Sequence, residues 1–310
     1  MKKHIPVLCV FLILLSVQSL SSQEPYKLPP KDVMDIVMAP PTPRASISPD
    51  GTLMLLIEYE SMPSIAYMSQ PLLRIAGTRI LPNFNARQVT SFNTAFTVKK
   101  IADGKTVDIA LPDGVQLGSP DWSPDGKSIA FLNYTDGGCD LWTADTASGQ
   151  ARKIDGLKVN ASVSSGFSWL DSDSLLVHSI PGGRGAPPPT PTVPKGPTVQ
   201  QTSGKVSQVR TYQDLLKNPH DEALFDYYGT SQICEVAAAS GSVKKLAEPG
   251  IYLGLDPSPD RKFLLVHKIK RPYSYLIPYY SFAHSLEIWD RSGNLVHLLA
   301  DIPLAEGVPL

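Results

Sequence analysis

The residues of this chain that could do chemistry are few and are not spaced to do it together. No Gly-x-Ser-x-Gly occurs, so no elbow lifts a serine nucleophile onto a strand-to-helix turn. Neither His-Glu-x-x-His nor Cys-x-x-Cys is present, and the sequence predicts no metal site and no cofactor. The histidines at 178, 220, 267, 284 and 297 are scattered. His178 and His267 each end a short apolar run, which marks them as equivalent structural positions in a repeat. Gly182-Gly183-Arg184-Gly185 lacks the Lys-Ser/Thr and the helix opening of a phosphate loop, and reads as flexible chain. One segment is richer. Arg271-Pro272-Tyr273-Ser274-Tyr275-Leu276-Ile277-Pro278-Tyr279-Tyr280 holds one arginine and four tyrosines, residues that combine apolar area with a polar tip. Two readings of it stand side by side. In one, a proline-stiffened loop packs its rings on neighbouring units. In the other, Arg271, Tyr273, Tyr275, Tyr279 and Tyr280 meet a substrate or another domain.

The elements that must position such a loop are written in a repeat. Ser48-Pro49-Asp50-Gly51, Ser123-Pro124-Asp125-Gly126, the looser Leu170-Asp171-Ser172-Asp173, and Ser258-Pro259-Asp260-Arg261 each precede a short apolar run. Those runs are Leu53–Ile57, Ile129–Leu132, Leu175–Val177 and Phe263–Val266. Proline presets the first central position of a type I turn, and serine and glycine suit its ends. Asp50, Gly51, Asp125, Gly126 and Asp260 therefore have structural work in the turn and are not expected to be catalytic. A second mark, Asp103-Gly104, Ser148-Gly149, Ser240-Gly241 and Ser292-Gly293, falls between strand-like segments as hairpin turns do. The period is about 45 residues, four strands to a unit, and the run Ile129-Ala130-Phe131-Leu132 is apolar on both faces. Such units are blades of a β-propeller, and an all-β chain of four-stranded antiparallel blades is predicted. A β-sandwich would alternate more cleanly and lack the period.

Four blades are expected, at about 43–111, 118–155, 165–248 and 251–301, short of a closed ring and so with a blade face left open. The third carries an insertion: a flexible Pro/Gly-rich stretch at 181–210, then a helical stretch at 211–228. There Thr211 with Asp214 resembles a capping box, and Asn218-Pro219 a cap followed by proline. A short helix is expected within 22–42, ended by Pro40-Pro41.

The first residues, Met1-Lys2-Lys3-His4 and then an apolar run from Ile5 to Val17, read as a signal peptide over 1–21. The run is too short to make a stable membrane span. Export to a periplasm or beyond is the expectation. A net charge of -1 gives no basis for binding nucleic acid. Cys139 and Cys234 fall in central strands of different units and are expected as buried thiols.

These residues also carry a family likeness. The stretch from Pro30 to Gly51, Pro71-Leu72-Leu73-Arg74-Ile75-Ala76-Gly77, Trp122-Ser123-Pro124-Asp125-Gly126 and Asp301-Ile302-Pro303-Leu304-Ala305-Glu306 resemble the N-terminal half of secreted serine peptidases of the prolyl oligopeptidase family, in the glutamyl-endopeptidase-like branch. More specific are Thr211-Tyr212-Gln213-Asp214-Leu215-Leu216-Lys217-Asn218-Pro219, Asp221-Glu222-Ala223-Leu224-Phe225 and Arg271-Pro272-Tyr273-Ser274-Tyr275. The resemblance implies a partner outside these residues, a C-terminal α/β-hydrolase domain that holds the whole Ser-Asp-His triad. No catalytic residue is thus carried onto this chain. It also implies that the propeller shields the active site and admits peptides. The rival expectation is a stand-alone exported propeller of the TolB-like kind that binds a peptide or protein.

Overall fold

The computed structural model describes residues 27–192 and 212–306. The expected signal peptide, Thr211 and most of the Pro/Gly-rich insertion lie outside them. Two compact units divide at Pro40 and Pro41. In the first, helix α1 (Lys31–Val37) follows Pro30, has Asp32 in its first turn, and ends at Met38, whose N–H reaches Met34 O at 2.8 Å.

The second unit is a β-propeller built of four-stranded antiparallel blades, each formed by consecutive chain. Blade one contains β1 (Arg44–Ile47) and β2 (Leu53–Tyr59). A long excursion follows, with a single-turn helix α2 (Ile65–Met68) and the strands β3 (Leu73–Ile75), β4 (Thr78–Leu81) and β5 (Ala86–Arg87). The blade is then completed by β6 (Asn93–Lys100) and β7 (Thr106–Asp108). Blade two is β8 (Asp121–Trp122), β9 (Ser128–Thr135), β10 (Gly138–Asp145) and β11 (Ala151–Lys153). Blade three comprises β12 (Phe167–Trp169), β13 (Ser174–Ser179), helix α3 (Pro219–Gly229), β14 (Gln232–Ala237) and β15 (Val243–Lys245). Blade four is β16 (Tyr252–Pro257), β17 (Phe263–Ile269), β18 (His284–Asp290) and β19 (Leu295–Ile302).

The turns that punctuate the sequence are closed by their own side chains. Ser48 Oγ donates to Asp50 Oδ1 at 2.6 Å and accepts from Leu53 N at 2.9 Å. Ser123 and Asp125 repeat this at 2.8 and 3.0 Å, and Ser258 with Asp260 at 2.7 and 3.0 Å. The fourth turn residue has positive φ, +74° at Gly51 and +71° at Gly126, where glycine carries no steric cost. Arg261 accepts φ +60° in the third copy, and its Nη1 donates to Leu170 O of the preceding blade at 3.0 Å. The three carboxyls are all held below the usual range, chiefly by the serine hydroxyl that donates to each.

Second strands are sheathed on both sides. Ile129 and Phe131 pack toward blade one, while Ala130 and Leu132 face the core shared with blade three. All six residues of β13 are buried, with Leu175 and Val177 on one face and Leu176 on the other. Burying each such leucine or phenylalanine is worth roughly 1.5–3 kcal/mol, so blade stacking is the main source of cohesion. First strands stand inward. Trp122 Nε1 donates to Ser46 Oγ at 3.0 Å, Trp169 Nε1 to Asp121 O at 3.1 Å, and Ser168 Oγ to Leu255 O at 3.4 Å, each crossing from one blade to the next. The fourth strands are the exposed rim. On β19 the large apolar side chains Leu295, Val296, Leu298, Leu299 and Ile302 are all open to solvent.

Because each blade runs up and down, its two tight turns lie at one end. The second-to-third connections and the links between blades lie at the other. The excursion of residues 60–92, the insertion in blade three and the loop of residues 270–283 are all second-to-third connections, so all three gather at the same end.

Two details differ from the sequence reading. The helical insertion begins at Pro219, not at residue 211. Asp214 has φ +58°, which no right-handed helix accepts, because its side chain and carbonyl are tied elsewhere. The glycine-rich stretch at 182–185 is anchored. Arg184 lies over the Tyr227 ring at 4.0 Å and donates to Asn85 Oδ1 at 2.6 Å. The sequence reading also missed the three-stranded sheet β3–β5, whose strands are only two to four residues long.

Candidate functional site

The three long connections form a core of their own at the insertion end. Ile75, Ala76 and Ile80 come from the small sheet, Leu216, Phe225 and Tyr228 from the third-blade insertion, and Ile277, Tyr279 and Phe282 from the tyrosine loop. Helix α3 is the centre of this arrangement. Asn218 Oδ1 accepts from Asp221 N at 3.0 Å, Asp221 Oδ2 accepts from Lys217 N at 2.8 Å, and Pro219 opens the helix. Phe225, fully buried, meets Tyr273, Phe282 and Tyr279 with ring centroids at 5.2, 5.8 and 6.1 Å.

The helix presents Glu222 and Asp226, one turn apart, to the tyrosine loop. Arg271 Nη1 donates to Glu222 Oε2 at 2.6 Å and its Nη2 to Asp226. The Tyr273 hydroxyl donates to Asp226, and that of Tyr275 to Glu222 at 2.5 Å. The Tyr275 hydroxyl, then the Arg271 guanidinium, hold the Glu222 carboxyl below its usual range. Burial, then the carboxylate of Asp226, push the Tyr273 phenol up. Arg271 is raised by the same two carboxylates. These groups are engaged with one another. They act as a latch.

The five residues singled out by sequence are therefore split. Arg271, Tyr273 and Tyr275 face the insertion of blade three. Tyr279 is buried, and its N–H donates to Ala76 O at 2.8 Å. Tyr280 projects outward and, with Pro278, borders a groove of about 420 Å³. Arg79 and Asp214 form the groove's other side and pair at 2.8 Å, while Gly77 N donates to Asp214 O at 2.8 Å. Sequence reasoning gave no role to Glu222 and Asp226. Their spacing of four on a helix, which aims two carboxylates at one basic partner, was the available signal.

Among the described residues no group of three or more His, Cys, Asp or Glu side chains is placed to hold a metal ion. No described helix is long and apolar enough to cross a membrane. Cys139 and Cys234 are free, buried thiols in β10 and β14, and burial pushes Cys139 up to about 12. Nothing in this geometry amounts to a catalytic constellation. What it offers is a shaped, partly polar end to a stack of blades.

No family model matches the chain. Among known proteins it is 40% identical over 300 residues to a probable chloroplastic glutamyl endopeptidase of Oryza sativa subsp. japonica, covering 92% of this chain and 32% of that one. It is 39% identical over 299 residues to the counterpart in Arabidopsis thaliana, covering 92% and 31%. The chain thus spans about a third of the length of the curated relatives it matches. Solved structures similar to it include a prolyl endopeptidase (TM-score 0.47, 13% identity, 89% of this chain and 32% of that one). A Pyrococcus horikoshii acylaminoacyl peptidase is similar as well (TM-score 0.43, 14% identity, 81% and 31%). Over the region it shares with them, this chain is similar to these two probable glutamyl endopeptidases.

Proposed function

We propose that this chain is the propeller part of an exported serine peptidase, and that it limits what reaches a C-terminal α/β-hydrolase domain to peptides and extended segments. The observation that carries the reading is the identity of 40% along almost the whole chain to a relative about three times as long, named as an endopeptidase. The fold supports it in a second way. Long connections gathered at one end, with their own buried core, make a face suited to bearing against another domain. On this reading the insertion end meets the hydrolase domain, with Tyr280, Leu276 and the ring of Tyr275 exposed for contact. Peptide substrate approaches along the inward-standing first strands. The basic and apolar leader directs the chain out of the cytoplasm.

The experiment is to follow the reading frame past codon 310 and to express what it encodes. A continuing frame with a Gly-x-Ser-x-Gly elbow should give a protein that a fluorophosphonate probe labels at that serine and that cleaves peptides but not folded proteins. The chain of 310 residues alone should not be labelled. A stop codon directly after Leu310, or labelling of the chain alone that one serine substitution abolishes, would overturn the proposal in favour of a free-standing propeller or a different enzyme.

A further inference from the structure

A second concavity lies at the insertion end, where the innermost strands of three blades begin. It measures about 440 Å³. Arg44, the first residue of β1, enters it from blade one, Ser119 from the approach to β8, and Ser164 and Ser165 from the approach to β12. Arg87 comes from the end of the small sheet, and Asn93 from the start of β6. Two arginines line this pocket, and no acidic residue does.

Both guanidiniums are held and neither is neutralised. Arg44 lies over the Tyr59 ring at 3.9 Å, which fixes its plane without using its N–H donors. Arg87 makes one long hydrogen bond, from Nη2 to Ser164 O at 3.4 Å. Neither has a carboxylate partner among the described residues, whereas Arg79 and Arg271 at the same end both do. A guanidinium offers five donors in a planar fork, and a carboxylate is the group whose geometry matches it.

Asn93 supplies an independent pointer. Its side chain is 4% exposed, and its Nδ2 donates to Gly118 O at 2.7 Å, which fixes the orientation of the amide. Its Oδ1 is buried with no hydrogen-bond partner. A buried acceptor left unpaired costs free energy, and a donor arriving from outside relieves that cost. Two unneutralised guanidiniums beside one unpaired amide oxygen are complementary to a carboxylate with an N–H a few atoms away. A peptide carries that pair of groups.

We propose that this pocket binds the carboxylate of a peptide, with Arg44 and Arg87 on the carboxylate and Asn93 Oδ1 accepting from a neighbouring amide N–H. The carboxylate can be an acidic side chain or a chain terminus, which present the same chemistry. The choice of a peptide rests on the function proposed above, but the site itself stands on its own geometry. Two guanidiniums on one carboxylate offer it more donors than a single surface ion pair does.

The test is calorimetric titration of the full chain with three unlabelled peptides. These are acetyl-Ala-Glu-Ala-amide, acetyl-Ala-Gln-Ala-amide, and acetyl-Ala-Gln-Ala with a free terminal carboxylate. At least one carboxylate peptide should bind tenfold or more tighter than the neutral one, and which does so identifies the source. Arg44→Met and Arg87→Met should each remove most of that difference. Both side chains are exposed, so the fold should tolerate the changes, and unchanged melting would verify this. Arg79→Met, in the neighbouring groove, should leave the difference intact. Equal binding of all three peptides, or full discrimination retained in both arginine variants, would overturn the pocket. Charge-blind peptide binding would do so while leaving the gating function standing. A reading frame that stops at 310 would remove the gate but not this site.

Discussion

Gly77 is where two of the three insertions touch, and replacing it with alanine tests whether they form one body. A Cβ there would lie 2.3 Å from Pro278 Cβ and 3.0 Å from Pro278 Cα, so the obstacle is a ring fused to backbone and cannot swing aside. The residue also has φ +79°, which alone costs an alanine about 1–2 kcal/mol. Gly51 makes the natural control. It has nearly the same φ, +74°, and nothing within 4 Å of the added carbon. Gly51→Ala should therefore cost only the backbone penalty of about 1–2 kcal/mol. Gly77→Ala should cost that plus about 1–3 kcal/mol of overpacking. It should also strain the hydrogen bonds from Gly77 N to Asp214 O and from Tyr279 N to Ala76 O, both 2.8 Å. Urea unfolding of the two variants beside the wild type would give the difference, and native-state proteolysis would locate it. Cleavage should quicken within 271–281 in Gly77→Ala and not in Gly51→Ala. Losses equal to within about 0.5 kcal/mol, the usual scatter of independent surface sites, would refute the claim that the tyrosine loop is wedged against the small sheet.

The latch between Arg271 and Asp226 is half exposed, so its worth is discounted for solvent. A double-mutant cycle with Arg271→Met and Asp226→Asn should give a coupling of about 1 kcal/mol, and zero coupling would remove the latch. His178 is buried, contacts Ser231 Oγ at 3.3 Å, and is pushed down to about 4 by burial. The unfolded chain takes up this proton near 6.5 and the folded one only near 4, so stability should fall as pH drops through that window. His178→Asn should flatten the slope there by up to about 1.4 kcal/mol per pH unit, and an unchanged slope in urea melts would contradict the burial argument. Cys139 and Cys234 should resist a thiol-specific dye until the chain is unfolded, because burial raises both. The exposed leucines of β19 should drive concentration-dependent self-association, and a monomer throughout the micromolar range in sedimentation would count against it.

Legibility in the sequence followed the range of the forces at work. The turns were readable because Ser123, Asp125 and Gly126 satisfy one another within a few residues, with no help from distant chain. Sheathed strands were readable because a run such as Ile129–Leu132 must be apolar at every position when cores lie on both faces. The start of α3 was readable at Asn218-Pro219, but Thr211 and Asp214 misled. The backbone at Asp214 is set by Arg79 and Gly77, more than a hundred residues earlier. The three-stranded sheet was invisible for the same reason, since strands of a few residues owe their shape to the loops packed on them. Arg44, Arg87 and Asn93 carry no local pattern at all. What distinguishes them is a partner each lacks, and a missing partner is legible only in three dimensions.

The two ends of the blades therefore differ in kind. One end is closed by short turns whose hydrogen bonds are internal, so it repeats with little variation and leaves little free to bind. The other collects every long connection, and there the chain builds a second core around Phe225, latches it through Arg271, and still leaves two guanidiniums and an amide oxygen unpaired. Unpaired polar groups beside a well-satisfied network are not a general failure of packing, because Asp226, Glu222, Asp214 and Arg184 nearby all find partners. This deficit lies where the inner strands begin, which is where a ligand moving along the blade axis would arrive. If that reasoning holds, filling the deficit from within should be stabilising. Ser165→Glu, which offers Arg44 and Arg87 a carboxylate of the chain's own, should raise the melting temperature and abolish the discrimination between charged and neutral peptides.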